Sequence, residues 1–202
     1  MTQPSTRLPA AERRLLTVDT VIDLAAEESP DRITTEQIAQ RMGITQGALF
    51  RHFPSKEAIW EAVMGQVAER LLERVERAAR EAGNIGDALQ AIFMAHVRFV
   101  AEHPGVPRIL FGELQRPETT PARHVARMLV RHYGEHLQGL IRQGQERGEL
   151  AADIAPQAAA ALFIGTIQGL VMQTLLEGDT RALLQRAPTA FALLRRCLEA
   201  RT

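Results

Sequence analysis

Along almost the whole chain apolar residues recur every three or four positions, and no stretch keeps the two-residue alternation of a half-buried strand. That spacing predicts an all-α fold. The first helix is expected over residues 9–28, with Leu15, Leu16, Val18, Val21, Ile22 and Ala25 inward and Ser29, Pro30 and Asp31 ending it. Thr34 followed three residues later by Gln37 is a capping-box pattern, so a short helix starts there and runs to about Met42, where Gly43 can turn left-handed and stop it. Thr45 is placed to cap a second short helix reaching about His52. Pro54 cannot extend that helix, and Ser55 is a good cap for a longer one carrying Trp60, Val63, Val67 and Leu71.

Beyond this point the helices lengthen, with breaks at residues 83–86, 103–107, 116–121 and 148–156. A bundle of long helices is the expected C-terminal architecture. Residues 154–176 carry no charge, which meets the length of a membrane span, but Gln157, Thr166, Gln168, Gln173 and Thr174 make the run too polar for hydrocarbon. Ala161, Gly165 and Gly169 recur every four residues and form a ridge nearly free of side chain, where a second helix could approach closely. The ridge therefore suggests a dimer-interface helix. The last helix, expected over residues 188–200, would complete that surface with Phe191, Leu194 and Leu198.

Composition sets the outer bounds. With 202 residues, 46% hydrophobic and 24% charged, the chain can bury one sizeable core or two small ones. Its only cysteine, Cys197, has no intrachain partner and would ordinarily be buried, and residues 1–10 lack the basic stub and apolar run of a secretory signal. A cytoplasmic protein without membrane association, structural zinc or cofactor is expected. The 24 basic and 24 acidic residues cancel, yet there is no acidic residue between Glu36 and Glu57, a window holding Arg41, Arg51, His52 and Lys56, the only lysine.

That basic window coincides with two short helices joined at Gly43, behind a longer first helix, which is the layout of a helix-turn-helix over residues 35–53. Ile38, Ala39, Met42, Ile44, Leu49 and Phe53 have the spacing to pack the pair, leaving Thr45, Gln46, Gly47, Ala48, Phe50, Arg51 and His52 at outward positions. Arginine can bind guanine, and glutamine adenine, through two hydrogen bonds each, so Arg51 and Gln46 are the candidates for base readout. Thr34 or Thr35, Thr45, Ser55 and Lys56 are placed for phosphate contacts.

The stretch ITTEQIAQRMGITQGALFRHFPSKEAIWEAV, residues 33–63, resembles the DNA-binding domain of the TetR family of transcriptional regulators. The resemblance covers about the first 65 residues directly; the remainder is similar only in helix number and length and in the RGEL turn at residues 147–150. It implies a homodimeric repressor, with a small molecule bound in the C-terminal region and the last two helices forming a four-helix dimer interface. Carried over by position, it places DNA contacts at Thr35, Thr45, Gln46, Gly47, Phe50, Arg51, His52 and Lys56. The family usually has tyrosine where this chain has Phe50, so one hydroxyl contact to phosphate would be missing.

The expected division is a DNA-binding domain over residues 1–54 and a ligand-binding and dimerisation domain over residues 55–202. Candidate ligand-lining residues are Phe93, Met94, Val97, Phe111, Met128, Gln168 and Met172, drawn from an apolar pool that also holds Leu110 and Phe163. Few acidic residues occur among them, which favours a neutral or weakly anionic hydrophobic inducer. His132 and His136 have chelating spacing, but Arg123, Arg127 and Arg131 interleave with them and His124, so that helix face reads as solvated rather than metal-binding. No nucleophile elbow, P-loop, dinucleotide fingerprint or HExxH occurs, and an enzyme is not expected. The alternative is a helical enzyme, carrier or protein-interaction module with a vestigial helix-turn-helix.

Overall fold

The computed structural model describes residues 9–179 and 181–199, and among them the fold is helical. The α-helices are α1 (Ala10–Glu27), α2 (Thr35–Arg41), α3 (Gln46–Phe50), α4 (Lys56–Arg80), α5 (Ile85–Glu102), α6 (Gly105–Gln115), α7 (Pro121–Glu146), α8 (Pro156–Glu177) and α9 (Arg181–Leu198), with a 3₁₀ turn at Pro30–Arg32. Two compact units share them. The first takes residues up to Gln66 together with Gly105–Val125, and the second takes Val67–Pro104 and the residues from Ala126 onward. Thus α4 and α7 each contribute to both units, and the first unit extends beyond the helix-turn-helix itself.

In the first unit α1 is the central support. Val18, Val21, Ile22, Leu24 and Ala25 are buried as their spacing requires, but Leu15 and Leu16 are 42% and 43% exposed, against expectation. Thr17 and Thr20 take the inward positions instead. Their hydroxyls donate to the carbonyls of Arg13 and Leu16 at 2.8 and 2.7 Å, so the helix satisfies the polarity that burial would otherwise penalise. The N-terminus of α6 then crosses α1 in backbone contact. A Cβ on Gly105 would collide with the Ile22 carbonyl oxygen and lie 2.9 Å from the Ala26 nitrogen, so only glycine allows this approach.

The second unit is built on α5, α8 and α9, which pack closely on one another. At their centre Phe93 meets Phe163 and Phe191 with ring centroids 5.4 and 5.2 Å apart, in edge-on and tilted arrangements that aromatic rings favour. Phe191, Leu194 and Leu198 are therefore core residues, each at most 4% exposed, and not the dimer surface expected of them. Helix α9 also begins at Arg181, whose N–H donates to the Asp179 carboxylate at 3.0 Å, and carries Pro188 within it on an exposed position. The RGEL turn closes as expected: Gly148 has φ 71°, and the Gly144 carbonyl accepts from the N–H groups of Glu149 and Leu150 at 2.8 and 3.1 Å.

Candidate nucleic-acid interface and bundle interior

The helix-turn-helix is fixed by short-range hydrogen bonds. Thr34 Oγ1 accepts from the Gln37 N–H at 3.1 Å while Gln37 Oε1 accepts from the Thr34 N–H at 2.7 Å, completing the capping box at the start of α2. Gly43 adopts φ 65°, and the Ile44 N–H returns to the Ala39 carbonyl at 3.0 Å, which turns the chain into α3. Thr45 caps α3 by accepting from the Ala48 N–H at 3.1 Å. Ile38, Ala39, Leu49 and Phe53 are buried beneath the turn, while Met42 and Ile44 are half-buried at its rim.

This geometry leaves Thr45, Gln46, Gly47, Phe50 and Arg51 exposed, with His52 half-buried. A Cβ on Gly47 would meet no atom within 4 Å, so its contribution is a low surface where the helix backbone can approach a groove. Gln46 is not loose: its amide donates to Thr35 Oγ1 at 2.7 Å, which leaves the second N–H and the carbonyl oxygen for a base edge. Phe50, 40% exposed, offers an apolar ring where a hydroxyl would otherwise sit. At the start of α4 the Ser55 hydroxyl accepts from the Ala58 N–H at 3.2 Å, and Lys56 Nζ lies 6.0 Å from the Trp60 ring centroid. The Glu57 carboxyl is held below its ordinary pKa by its own backbone N–H and by the Ser55 hydroxyl.

Two arginines behave differently from the simple charge tally. Arg41 donates to both carboxylate oxygens of Glu27, at 3.0 and 2.6 Å, so it braces α2 on α1 rather than adding a free cation to the basic window. That bond holds the Glu27 carboxyl below its usual range. Arg14, which the motif does not point to, stacks over the Phe53 ring and donates to the His52 carbonyl at 2.6 Å, locking the end of the turn after α3.

Matches to known proteins agree with this geometry. The family model "Bacterial regulatory proteins, tetR family" matches residues 18–63, and "Tetracyclin repressor-like, C-terminal domain" matches residues 116–191. The chain belongs to the TetR family. It is a transcription regulator with a DNA-binding helix-turn-helix and a tetracyclin repressor-like C-terminal domain.

Among curated relatives, the nucleoid occlusion factor SlmA of Haemophilus ducreyi is 33% identical over 116 residues, covering 55% of this chain and 57% of that protein. SlmA of Vibrio vulnificus is 27% identical over 146 residues, covering 72% of this chain and 74% of its own. The fatty acid degradation regulator FadR of Bacillus halodurans superposes with a TM-score of 0.83 at 18% identity, covering 98% of this chain and all (100%) of that one. FadR of Bacillus subtilis, solved in complex with stearoyl-CoA, gives a TM-score of 0.80 at 19% identity over 91% of this chain and 98% of that one. At such identities these structures share the fold.

The expected ligand-lining residues of this TetR-family chain do not all come together. Phe93 and Val97 are fully buried, and Met94, Phe111 and Met128 are half-buried. Gln168 and Met172 instead point outward from α8, Met172 being 40% exposed, because Phe163, Ile167, Val171 and Thr174 form the stripe that faces α5 and α9. On the outward side Ala161, Gly165 and Gly169 are exposed as well, and a Cβ on either glycine would meet nothing. The small-residue ridge is therefore unused by intrachain packing. Leu162 and Leu176 on α8 and Leu184 and Leu193 on α9 are also between 41% and 81% exposed, and Cys197 is exposed. Helix α8 is long and apolar enough to cross a membrane by length and composition, but 39% of its most apolar window is buried inside the fold.

A polar group that sequence spacing did not single out sits in the second unit. Tyr133, 2% exposed, brings its hydroxyl within 3.3 Å of His96 Nδ1. Burial lowers the His96 pKa to about 4 and raises that of Tyr133, so both are neutral at pH 7. His136, three residues along α7, was expected on the solvated face with His124 and His132; those two are exposed, but His136 turns in and its Nε2 is buried without a hydrogen-bond partner.

Proposed function

We propose that this protein is a ligand-responsive repressor that binds a palindromic operator as a homodimer and is released by a small hydrophobic molecule. The observation that carries the proposal is the exposed face of α3, where Gln46, Gly47, Phe50 and Arg51 stand clear of the fold while caps and a buried underside hold the helix rigid. Arg51 and Gln46 read bases. Thr34, Thr35, Thr45, His52 and Lys56 hold phosphates and fix the register.

Dimerisation runs through the outward side of α8 and α9, with Ala161, Gly165 and Gly169 at the closest crossing and Leu162, Met172, Leu176, Leu184 and Leu193 around it. Apolar area of this extent on two consecutive helices is what an isologous interface buries. In the unliganded dimer the two α3 helices stand about 34–36 Å apart, one turn of DNA. Inducer binding among Phe93, Met94, Val97 and Met128 of the second unit shifts α4, which contributes to both compact units, and spoils that spacing. The DNA-reading part corresponds to residues 1–54, and the remainder binds ligand and dimerises.

Selection of bound sequences from random duplex DNA tests the proposal. An enriched palindrome with half-sites about one helical turn apart is expected; recovery of no common sequence would overturn it. A second reading rests on the 33% identity to a nucleoid occlusion factor. Under that reading deletion of the gene disturbs cell division and leaves transcripts beside the selected sites unchanged, whereas under the repressor reading those transcripts rise.

A further inference from the structure

The interior of the second unit is almost wholly apolar: apart from Tyr133, Thr174 is its one buried polar residue among those described, and no charged residue there is buried. Thr174 is satisfied within α8, where its hydroxyl donates to the Leu170 carbonyl at 2.8 Å. Against this background the pair of His96 on α5 with Tyr133 on α7, and the buried Nε2 of His136 three residues further along α7, need an explanation, because buried polar groups destabilise a fold unless they are paired.

Pairing is incomplete, and the deficit can be counted. A neutral imidazole and a phenol hold one N–H and one O–H between them, and their single mutual bond at 3.3 Å uses only one. If Tyr133 donates, the His96 Nε2–H is left over; if His96 Nδ1 donates, the Tyr133 O–H is left over. Either tautomer leaves one donor. One turn along α7, on the same side of the helix, His136 Nε2 is buried with no partner at all.

We propose that His96, Tyr133 and His136 are the polar anchor of the inducer site, and that the inducer is an apolar molecule carrying one uncharged oxygen acceptor, such as a ketone or ester carbonyl. This rests on the reading that a small hydrophobic molecule releases the repressor from DNA. The carbonyl oxygen accepts the surplus donor of the Tyr133–His96 pair and the N–H of His136. A carboxylate would be disfavoured because no buried cation of this unit offsets its desolvation, and an ammonium because no buried carboxylate does. Aromatic and aliphatic neighbours, Phe163 with its ring centroid 6.4 Å from that of Tyr133 among them, supply the apolar surroundings.

The test uses the full chain with histidines labelled by nitrogen-15 and three ten-carbon probes: 2-decanone, decanoate and decylamine. The expected result is binding of 2-decanone at least tenfold tighter than either charged probe, with movement of the His96 and His136 ring-nitrogen resonances. Tyr133→Phe, which keeps the ring, should weaken 2-decanone about fivefold or more, and His136→Leu should do the same with its thermal midpoint checked alongside. Failure of 2-decanone to bind, equal binding of all three probes, or binding that leaves the histidine resonances and the Tyr133→Phe affinity unchanged overturns the anchor. Operator binding measured on the same samples separates the two ideas. If the anchor fails while sequence-specific DNA binding persists, the repressor reading stands without it; if sequence-specific binding is absent, the repressor reading fails whatever 2-decanone does.

Discussion

The guanidinium carbon of Arg14 lies 4.4 Å from the centroid of the Phe53 ring, and its Nη1 donates to the His52 carbonyl at 2.6 Å. One side chain of α1 thereby covers the fully buried Phe53 and satisfies a carbonyl left open where α3 ends. Arg14→Ala is expected to destabilise the protein by about 1–2 kcal/mol, from an exposed cation–π contact and a hydrogen bond that solvent partly screens. Because Arg51 and His52 sit at that end of the helix, operator affinity should fall about fivefold or more while the selected sequence stays the same. Chemical denaturation and DNA titration on one preparation check both effects.

Gly105 is a packing requirement rather than a flexible joint. Gly105→Ala forces a methyl group against the Ile22 backbone, and the expected cost is about 1–3 kcal/mol, read as a lower denaturation midpoint with an unchanged m-value. Gly134→Ala, where a Cβ meets open space within helix α7, is the control and should be neutral or stabilising by up to about 1 kcal/mol.

The ridge on α8 makes the opposite prediction for charge. Gly165→Glu places a carboxylate where no atom of the same chain lies within 4 Å, so the folded protomer accommodates it, while a second copy crossing there would have to bury it. Sedimentation should show the wild type as a dimer and Gly165→Glu shifted to monomer with helical content retained. An unshifted dimer would place the interface elsewhere.

His96 predicts an acid-sensitive interior. Its pKa in the fold is about 4, below the 6.5 of an unperturbed imidazole, so between those values the unfolded chain binds the proton and the folded chain does not. Stability from this residue is complete above pH 6.5 and is lost progressively as pH falls toward 4, by at most about 3 kcal/mol. The difference in unfolding free energy between wild type and His96→Gln, followed from pH 7.5 to 4, isolates it from the carboxylates that titrate in the same direction. A constant difference would contradict the burial of this ring.

The helix-turn-helix was legible because its determinants are local. Thr34, Gln37, Gly43 and Thr45 act within a few residues of their own position, and the caps they form need no distant partner. Helix α9 was not legible in the same way. It carries one apolar stripe through Leu183, Phe191 and Leu194 and further apolar residues at Leu184 and Leu193 on the outside, and periodicity cannot say which set faces the chain's own core. His136 was obscured by its arginine neighbours, since only the contact of Tyr133 with His96 across the bundle reveals which side of α7 is inward. Leu15 and Leu16 looked buried by type, and lost those positions to threonines whose hydroxyls the helix itself satisfies.

Fluorescence-anisotropy titration of the protein against its selected palindrome and against random DNA, at two salt concentrations, tests DNA reading by α3 most directly. Wild type should prefer the palindrome by about 10³-fold or more. Arg51→Ala should lose about 1–3 kcal/mol of that preference, whereas Lys56→Ala should weaken both DNAs alike and flatten the salt dependence by about one phosphate contact. Equal affinity of wild type for both DNAs, or a preference that survives Arg51→Ala and Gln46→Ala together, would contradict base readout by the exposed face of α3.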